Sequence, residues 1–582
     1  MIVERPDDLA PMGPAAYGSD LVVDLLRALG HRYLPLTPGS SFRGLHDSVV
    51  NYGGNHDPQL LLCLHEEIAV SLAHGYAKAT HGPAVAAVHD LVGLMHASMA
   101  IYDAYCDRAP LLLLGGSGPA DRTARRPIEW LHSAATQAQL VREYVKWDDE
   151  PTGVGPMGAS VLRAQQIARS APAGPVYVSL DAGDQERPLT SAIELPDLRR
   201  YAPAPPLSPD PDAVARAADL LAAAEFPVVV GGRIGLDPAA TPLLVELVEA
   251  LGAAYRDDRH FVAFPAAHPL NCSGDHDLVA DADAVLAVDV ADLAALLCGS
   301  SPSPAAAESP AVVDLSYGEL GIRSWSHAFG PPVARDVQVT GDPRRGLRLL
   351  TDAVRERVDA TMRDRRTALV RARHAALREA QRTRLRERWD DHPISPARLV
   401  AETWTAARDL PWLLVLRNTR SWPYGVWEFG GAGEYLGHSG GGGVGYGPGA
   451  MVGGALAARD RGRLGVAIIG DGDLLMAPGA LWTASHYAIP LLAVVNDNGS
   501  FYNDEKHQRA VAVDRGRPES NSWIGMRIAD PAVDIAALAR SYGCWATGPI
   551  EKAADLAAAL GEGAARAAGG AVAVVHVRTA HE

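Results

Sequence analysis

The sequence predicts an α/β protein made of three doubly wound, parallel-sheet domains, and three observations lead there. Short apolar runs alternate with helical periodicity in three separate blocks, the pattern of parallel sheets covered on both faces. A proline-rich stretch over residues 201–211 and a glycine- and proline-free run over 352–389 set the blocks apart. The length of 582 residues is too great for one hydrophobic core, which stops growing near roughly 250–300 residues.

In chain order, the first block (13–190) carries helical patterns at 19–29, 67–80 and 95–106, interleaved with β-like runs at 84–88, 111–114 and 176–180. The central block (211–350) has apolar runs at 227–230 and 284–288 and reads as Rossmann-like. Its Val228-Val-Val-Gly-Gly232 is a strand running into a glycine turn, without the G-x-G-x-x-G of a dinucleotide fingerprint. Residues 351–392, rich in Arg, Ala, Leu and Glu, predict a long exposed linker helix whose interleaved acids suit a solvated face. The third block (393–582) returns to strand–helix alternation, with a glycine cluster at 440–449 and apolar runs at 464–469 and 491–495. No repeat of 20–50 residues is present, which argues against a solenoid.

A formal net charge of −16 opposes nucleic acid and anionic membrane as partners. No uncharged run reaches the ~20 apolar residues that span a bilayer. Five scattered cysteines without a C-x-x-C pair argue against a disulfide framework or a cysteine zinc site. The first eight residues lack a basic segment and an apolar one, so no signal peptide is expected and the predicted location is cytoplasmic.

The sharpest chemical signal is Gly470-Asp471-Gly472 after the apolar run 465–469, followed one β-α-β unit later by Asn496-Asp497-Asn498-Gly499-Ser500 after the run 491–495. Both polar clusters fall at the carboxyl ends of strands, where open α/β sheets bind ligands. An Asp and an Asn there supply hard oxygen ligands that, with a turn carbonyl and phosphate oxygens, approach the octahedron Mg²⁺ prefers. The flanking glycines let backbone amides approach a phosphate closely.

These motifs resemble those of thiamine-diphosphate-dependent enzymes of the acetolactate synthase / benzoylformate decarboxylase family. The family's Asp and final Asn stand 27 positions apart with a proline eight before the Asn, and Asp471, Pro490 and Asn498 keep that register. The usual Asn-Asn pair reads Asp497-Asn498 here, which adds a carboxylate beside the ligand position. Leu64-His65-Glu66-Glu67 and Ala73-His-Gly75-Tyr76-Ala77-Lys-Ala-Thr80 match the family's H-E-x…A-x-G-Y-A-x-A-T signature. Ser439-Gly-Gly-Gly-Gly443-Val444-Gly-Tyr-Gly-Pro-Gly-Ala450 resembles its glycine-rich loop. Thr37-Pro38-Gly39-Ser40 and Val88-His89-Asp90, with Gly93 and His96 in register, resemble the substrate side of benzoylformate decarboxylase.

The resemblance implies thiamine diphosphate and Mg²⁺ as cofactors. It makes Asp471, Asn498 and the Ser500 carbonyl the metal ligands, and Gly443, Val444, Gly470, Asp471, Gly472, Asp473, Asn498 and Ser500 the cofactor-binding set. Glu66 is the implied activating carboxyl at the aminopyrimidine, Val444 the wedge between the two rings, and His89 and Ser40 the substrate-side groups. Residues 13–190 become the pyrimidine-binding domain and 393–582 the diphosphate-binding domain. Glu66 and the metal site meet across a subunit boundary in the family, so a homodimer or a homotetramer built as a dimer of dimers is implied. Residues 501–507 are expected as a mobile loop over the cofactor, with Glu505 and His507 as solvated charges or substrate contacts. The flavin motif of acetolactate synthases is replaced around Ala287-Val-Asp-Val-Ala-Asp292, which argues against bound FAD.

The implied activity is that of a lyase or carboligase on a 2-oxo acid: decarboxylation to an enamine, then aldehyde release or ligation to a 2-hydroxyketone. A C–C lyase acting on a hydroxyketone is the alternative. A cofactor-binding regulatory paralogue is the alternative from another class, and intact Glu66, Asp471 and Asn498 argue against it.

Overall fold

The computed structural model describes residues 4–7, 13–258, 261–298, 310–321, 333–417 and 422–581. Residues 1–3 and 8, part of the segment read for targeting, lie outside this set. Among the described residues no helix is long and apolar enough to cross a membrane.

Three sheets form, and every strand pair in them is parallel. The first contains β1 (Tyr33–Leu36), β2 (Gln59–Leu62), β3 (Ala84–Val88), β4 (Leu111–Ser117), β5 (Trp147–Asp149) and β6 (Val176–Asp181), in the order β2-β1-β3-β4-β6-β5. The second contains β7 (Pro227–Gly231), β8 (Ala254–Asp257), β9 (Ala284–Val288), β10 (Ala311–Ser316) and β11 (Val337–Thr340), ordered β11-β10-β9-β7-β8. The third contains β12 (Trp412–Arg417), β13 (Leu464–Gly470), β14 (Leu491–Asp497), β15 (Trp545–Ile550) and β16 (Val572–Arg578), ordered β12-β13-β14-β16-β15. The central strands are continuous apolar runs, such as Ala84-Val-Ala-Ala-Val88, and are buried along their whole length, as strands covered on both faces must be. The predicted three-sheet α/β architecture is therefore present.

The first and third sheets belong to one compact unit, and the second forms another. Inside the first unit, the helix Glu66–Thr80 crosses the helix Tyr446–Asp460 at very short range. Glycine makes that approach possible. A Cβ at Gly75 would fall into the Ala450 carbonyl, and one at Gly453 into the Leu72 carbonyl.

The second unit also includes residues 422–438, which the sequence reading placed with the third block. Aromatic burial accounts for this: Trp427 and Tyr435 are nearly inaccessible. Ala266 N donates to the Phe429 carbonyl (2.8 Å) and Gly433 N to the Gly235 carbonyl (3.2 Å). The helix expected over 352–389 is two helices, Pro343–Arg355 and Ala360–Glu387. Asp359 starts the second by accepting from Met362 N at 2.9 Å. Nor is that helix wholly exposed: Arg366 is buried, and its guanidinium donates to the carbonyls of Leu251, Ala222 and Ala224.

Candidate active site

Parallel register assembles the acidic end of the third sheet. Gly470 at the end of β13 pairs with Asn496 of β14, so the next residues, Asp471 and Asp497, emerge side by side at the carboxyl edge. Both carboxyls are buried. Burial first, and the neighbouring Asp497 second, push Asp471 up to about 7. No salt bridge to Asp471 is found among the described residues. Asp497 has the opposite environment. Its Oδ2 takes His576 Nε2 at 2.5 Å and Arg578 at 2.8 Å, both from β16, while Oδ1 accepts from Gly499 N at 2.9 Å. Burial alone would raise this acid, but the His576 and Arg578 contacts hold it below the usual carboxylate range. The extra carboxylate noted in the sequence thus has its own counter-charges and leaves Asp471 without one.

Asn498 turns the chain, its Oδ1 accepting from Ser500 N at 3.0 Å and its carbonyl receiving His581 Nε2 at 2.8 Å. Gly499 sits at φ 66°, a left-handed conformation costly for most residues. Ser500 is buried, and its hydroxyl donates to Glu505 Oε2 at 2.9 Å. The mobile loop expected after it is instead the helix Tyr502–Asp514. Glu505 is fully buried rather than solvated, bound by Ser500 and by Arg527 (3.1 Å). Burial opposes its charge, yet the Arg527 and Ser500 hydrogen bonds hold its carboxyl below the ordinary value. Charge pairing inside the fold overrode the loop expectation.

The glycine cluster is pinned at both ends. Asp473 Oδ1 accepts from Gly445 N at 2.6 Å, tying the segment to the helix Asp471–Met476. Asp103 accepts from Ser439 Oγ at 2.5 Å and from Gly441 N at 2.9 Å. A side chain at Gly443 would strike the Met99 thioether, and one at Gly472 would lie 2.8 Å from the Phe501 ring. Val444 is 44% exposed.

On the first sheet, helix Glu66–Thr80 starts at the predicted carboxyl. His65 precedes it and accepts from Glu67 N at 3.1 Å through Nδ1. Glu66 is buried and makes a 3.0 Å contact from Oε2 to His96 Nδ1; His65 stacks on His96 at 4.6 Å. Gly93 leaves room for it, since a Cβ there would stand 3.0 Å from Glu66 Oε1. Glu67 turns elsewhere, accepting from Ala100 N at 3.2 Å, and burial pushes it up to about 8.

His89 caps β3 and precedes the helix Asp90–Cys106, which starts five residues before the predicted 95. Its Nδ1 lies 2.8 Å from Ser41 Oγ and its Nε2 3.3 Å from His132 Nδ1. Gly39 is required here because any side chain would overlap the imidazole. Burial, then His132, lowers the pKa of His89. Ser40 stands one residue off: its carbonyl accepts from Arg126 at 3.3 Å, and it lines an open groove of about 580 Å³ beside Pro38 and Arg43. The serine on His89 is Ser41. Sequence reasoning missed Ser41, His132, the His96 contact to Glu66 and the His576–Arg578 pair. Only the adjacency of Ser41 to the predicted turn could have pointed to one of them.

Fold and motifs together define a thiamine pyrophosphate enzyme, and the chain belongs to that family: residues 17–140 match the N-terminal TPP-binding domain and residues 418–577 the C-terminal TPP-binding domain. Among curated proteins it is 27% identical to a benzoylformate decarboxylase of Pseudomonas aeruginosa, over 84% of this chain and 86% of that protein. It is 24% identical to a probable acetolactate synthase large subunit of Methanocaldococcus jannaschii, over 90% of this chain and 86% of that one. Two solved structures share the fold. Benzoylformate decarboxylase from Polynucleobacter necessarius has TM-score 0.75 and 18% identity, covering 97% of this chain and 99% of that one. The thiamine diphosphate-dependent 4-hydroxybenzoylformate decarboxylase of Rhodococcus jostii RHA1 has TM-score 0.74 and 22% identity, covering 97% and 100%.

Proposed function

We propose that this chain is a Mg²⁺- and thiamine-diphosphate-dependent enzyme that decarboxylates a 2-oxo acid and releases an aldehyde or joins the remaining fragment to a second carbonyl. The observation that carries the metal half of the reading is the pair of buried, adjacent carboxyls Asp471 and Asp497, of which, among the described residues, only Asp497 has basic partners. A buried acid pushed up to about 7 with no counter-charge fits a site that a divalent cation completes. Asp471, Asn498 and the Ser500 carbonyl would hold the ion, and the backbone around Gly470–Gly472 and the pinned glycine segment would face the diphosphate.

Bound thiamine diphosphate supplies a carbon nucleophile and an electron sink. The chain's own work is then binding, orientation and proton control. Glu66, buried and oriented by His96, is placed to share a proton with a basic ring nitrogen. Asp103 and Asp473 hold the segment bearing Val444 in place. His89, with its pKa lowered by burial, stays neutral near pH 7 and can donate or accept a proton at the reacting atom. The 2-oxo acid class is carried over from the benzoylformate decarboxylase to which 84% of the chain is similar.

The test is incubation with thiamine diphosphate, Mg²⁺ and either pyruvate or benzoylformate, with products identified by mass spectrometry beside a Glu66→Gln control. CO₂ with an aldehyde or hydroxyketone, lost in the control, is the expected result. Cofactor-loaded protein that releases no CO₂ from a panel of 2-oxo acids would overturn the decarboxylase reading.

A further inference from the structure

The turn that carries Asn498 and Ser500 is held from one side by the last strand of the third sheet. Parallel register pairs Asp497 of β14 with Arg578 of β16, and His576 pairs with Val495 two residues earlier. Side chains two apart on a strand share a face, so both reach the same carboxylate oxygen. His576 Nε2 lies 2.5 Å and Arg578 Nη1 2.8 Å from Asp497 Oδ2. The chain beyond β16 adds two contacts: Thr579 N donates to the Asp497 carbonyl at 2.8 Å, and His581 Nε2 lies 2.8 Å from the Asn498 carbonyl. The His581 ring also stacks at 4.5 Å on Tyr502, the first residue of the helix after the turn. Inside the turn, Asp497 Oδ1 accepts from Gly499 N and Asn498 Oδ1 from Ser500 N. Both Asp497 oxygens are thus engaged within the protein, which suits an acid that orients a turn. Contacts of this outer kind matter to metal sites, where their loss typically weakens binding by about 10–100-fold.

We propose that His576, Arg578 and His581 are positioning residues for the cation. Through Asp497 and the Asn498 carbonyl, the end of β16 holds the Asn498 side chain and the Ser500 carbonyl where they receive it. This rests on the reading of Asp471, Asn498 and Ser500 as ligands, and extends the site to a strand that bears no ligand of its own. Charge and geometry make opposite demands on Arg578, which separates them. As a charge alone, a guanidinium beside the turn opposes a cation, so its removal tightens cation binding. As a clamp on Asp497 it keeps the turn in shape, so its removal weakens binding. The clamp is the stronger effect in this proposal.

Arg578→Gln, His581→Ala and His581→Gln test this in the full-length protein. The Arg578 side chain is 27% exposed and His581 is exposed, so neither change opens the core. Mn²⁺, which shares the oxygen preference of Mg²⁺, is titrated at a fixed, saturating concentration of thiamine diphosphate, with the free ion followed by electron paramagnetic resonance. Its Kd should rise about tenfold or more in Arg578→Gln and in His581→Ala. His581→Gln, which keeps a donor for the Asn498 carbonyl, should recover part of the loss. Without cofactor, hydrogen exchange over residues 498–501 should be faster in both loss variants and unchanged in the second sheet. Arg578→Gln that binds Mn²⁺ as tightly as the wild type, or more tightly, would overturn the proposal. So would unchanged exchange at the turn in both loss variants. A wild type that takes up no Mn²⁺ with the cofactor would overturn the ligand reading and this proposal together. A wild type that binds it, matched by its variants, would overturn this proposal alone.

Discussion

Glu66 stands at the first position of its helix, buried, with His96 on one oxygen and the open space above Gly93 beside the other. Glu66→Gln keeps the shape and removes the exchangeable proton. Turnover should fall by about 100-fold or more, the scale of lost general acid–base catalysis, while calorimetry still records cofactor binding. Asp103 makes a second prediction at this scale. Burial pushes its carboxyl up from 3.8 to about 7. An acid whose folded pKa is raised binds its proton more tightly when folded, so its contribution to stability is complete below about 4 and is lost as pH rises through 7. Thermal melts should therefore lose stability over pH 4–7. Asp103→Asn, which keeps an acceptor for Ser439 and Gly441, should flatten that slope by about 2–4 kcal/mol, the linkage value of the raised pKa. An unchanged slope would show that this carboxyl does not titrate in that window. Glu66 was legible in the sequence because its H-E signature is local. Asp103, His132 and Ser41 were not, because their partners lie 43 or more positions away and no spacing rule links them.

Among elements, the crossing of helix Glu66–Thr80 over helix Tyr446–Asp460 decides how the two sheets of the first unit share a face. The glycines in it are positions where backbone meets backbone, which no rotamer change can relieve. Gly75→Ala or Gly453→Ala should cost about 3 kcal/mol or more, the upper range of overpacking, read as a lower melting temperature with Mg²⁺ and cofactor absent. Gly443→Ala meets only the flexible end of Met99 and should cost much less. Helical periodicity made the first of the two visible in the sequence, over 67–80. The same periodicity left the start of the helix at Asp90 five residues late, because the His89-Asp90 start is polar and looks like loop. The helix Tyr502–Asp514 escaped for a related reason: its charges read as solvated until Arg527 and Ser500 were found on Glu505.

For the whole molecule, mass action and symmetry give the clearest tests. If thiamine diphosphate binds only the folded chain and needs Mg²⁺ to do so, raising it to about 100-fold over its Kd at fixed Mg²⁺ should add about 2.7 kcal/mol, and a chelator should remove most of it. If two copies of the chain pair so that Glu66 of one and Asp471 of the other build each site, as the resemblance leads one to expect, complementation tests it. Mixing inactive Glu66→Gln and Asp471→Asn chains should then restore about a quarter of wild-type activity, since half of the randomly mixed dimers carry one intact site. No recovery after verified subunit exchange would place each site within one chain.

The sequence by itself determined the α/β class, the three sheets and the cofactor family, because strand and helix periodicity and the Asp471…Asn498 register are properties of neighbouring residues. It also brought Asp471 and Asn498 to one sheet edge, since two strands of a β-α-β unit must end on the same side. Only the tertiary structure decided which charges compensate which. Asp497 is satisfied by His576 and Arg578 from a strand 79 positions away, and residues 422–438 join the central unit through buried aromatic rings. Those choices depend on desolvation, which is set by what surrounds a group in space and is not written in the residues beside it.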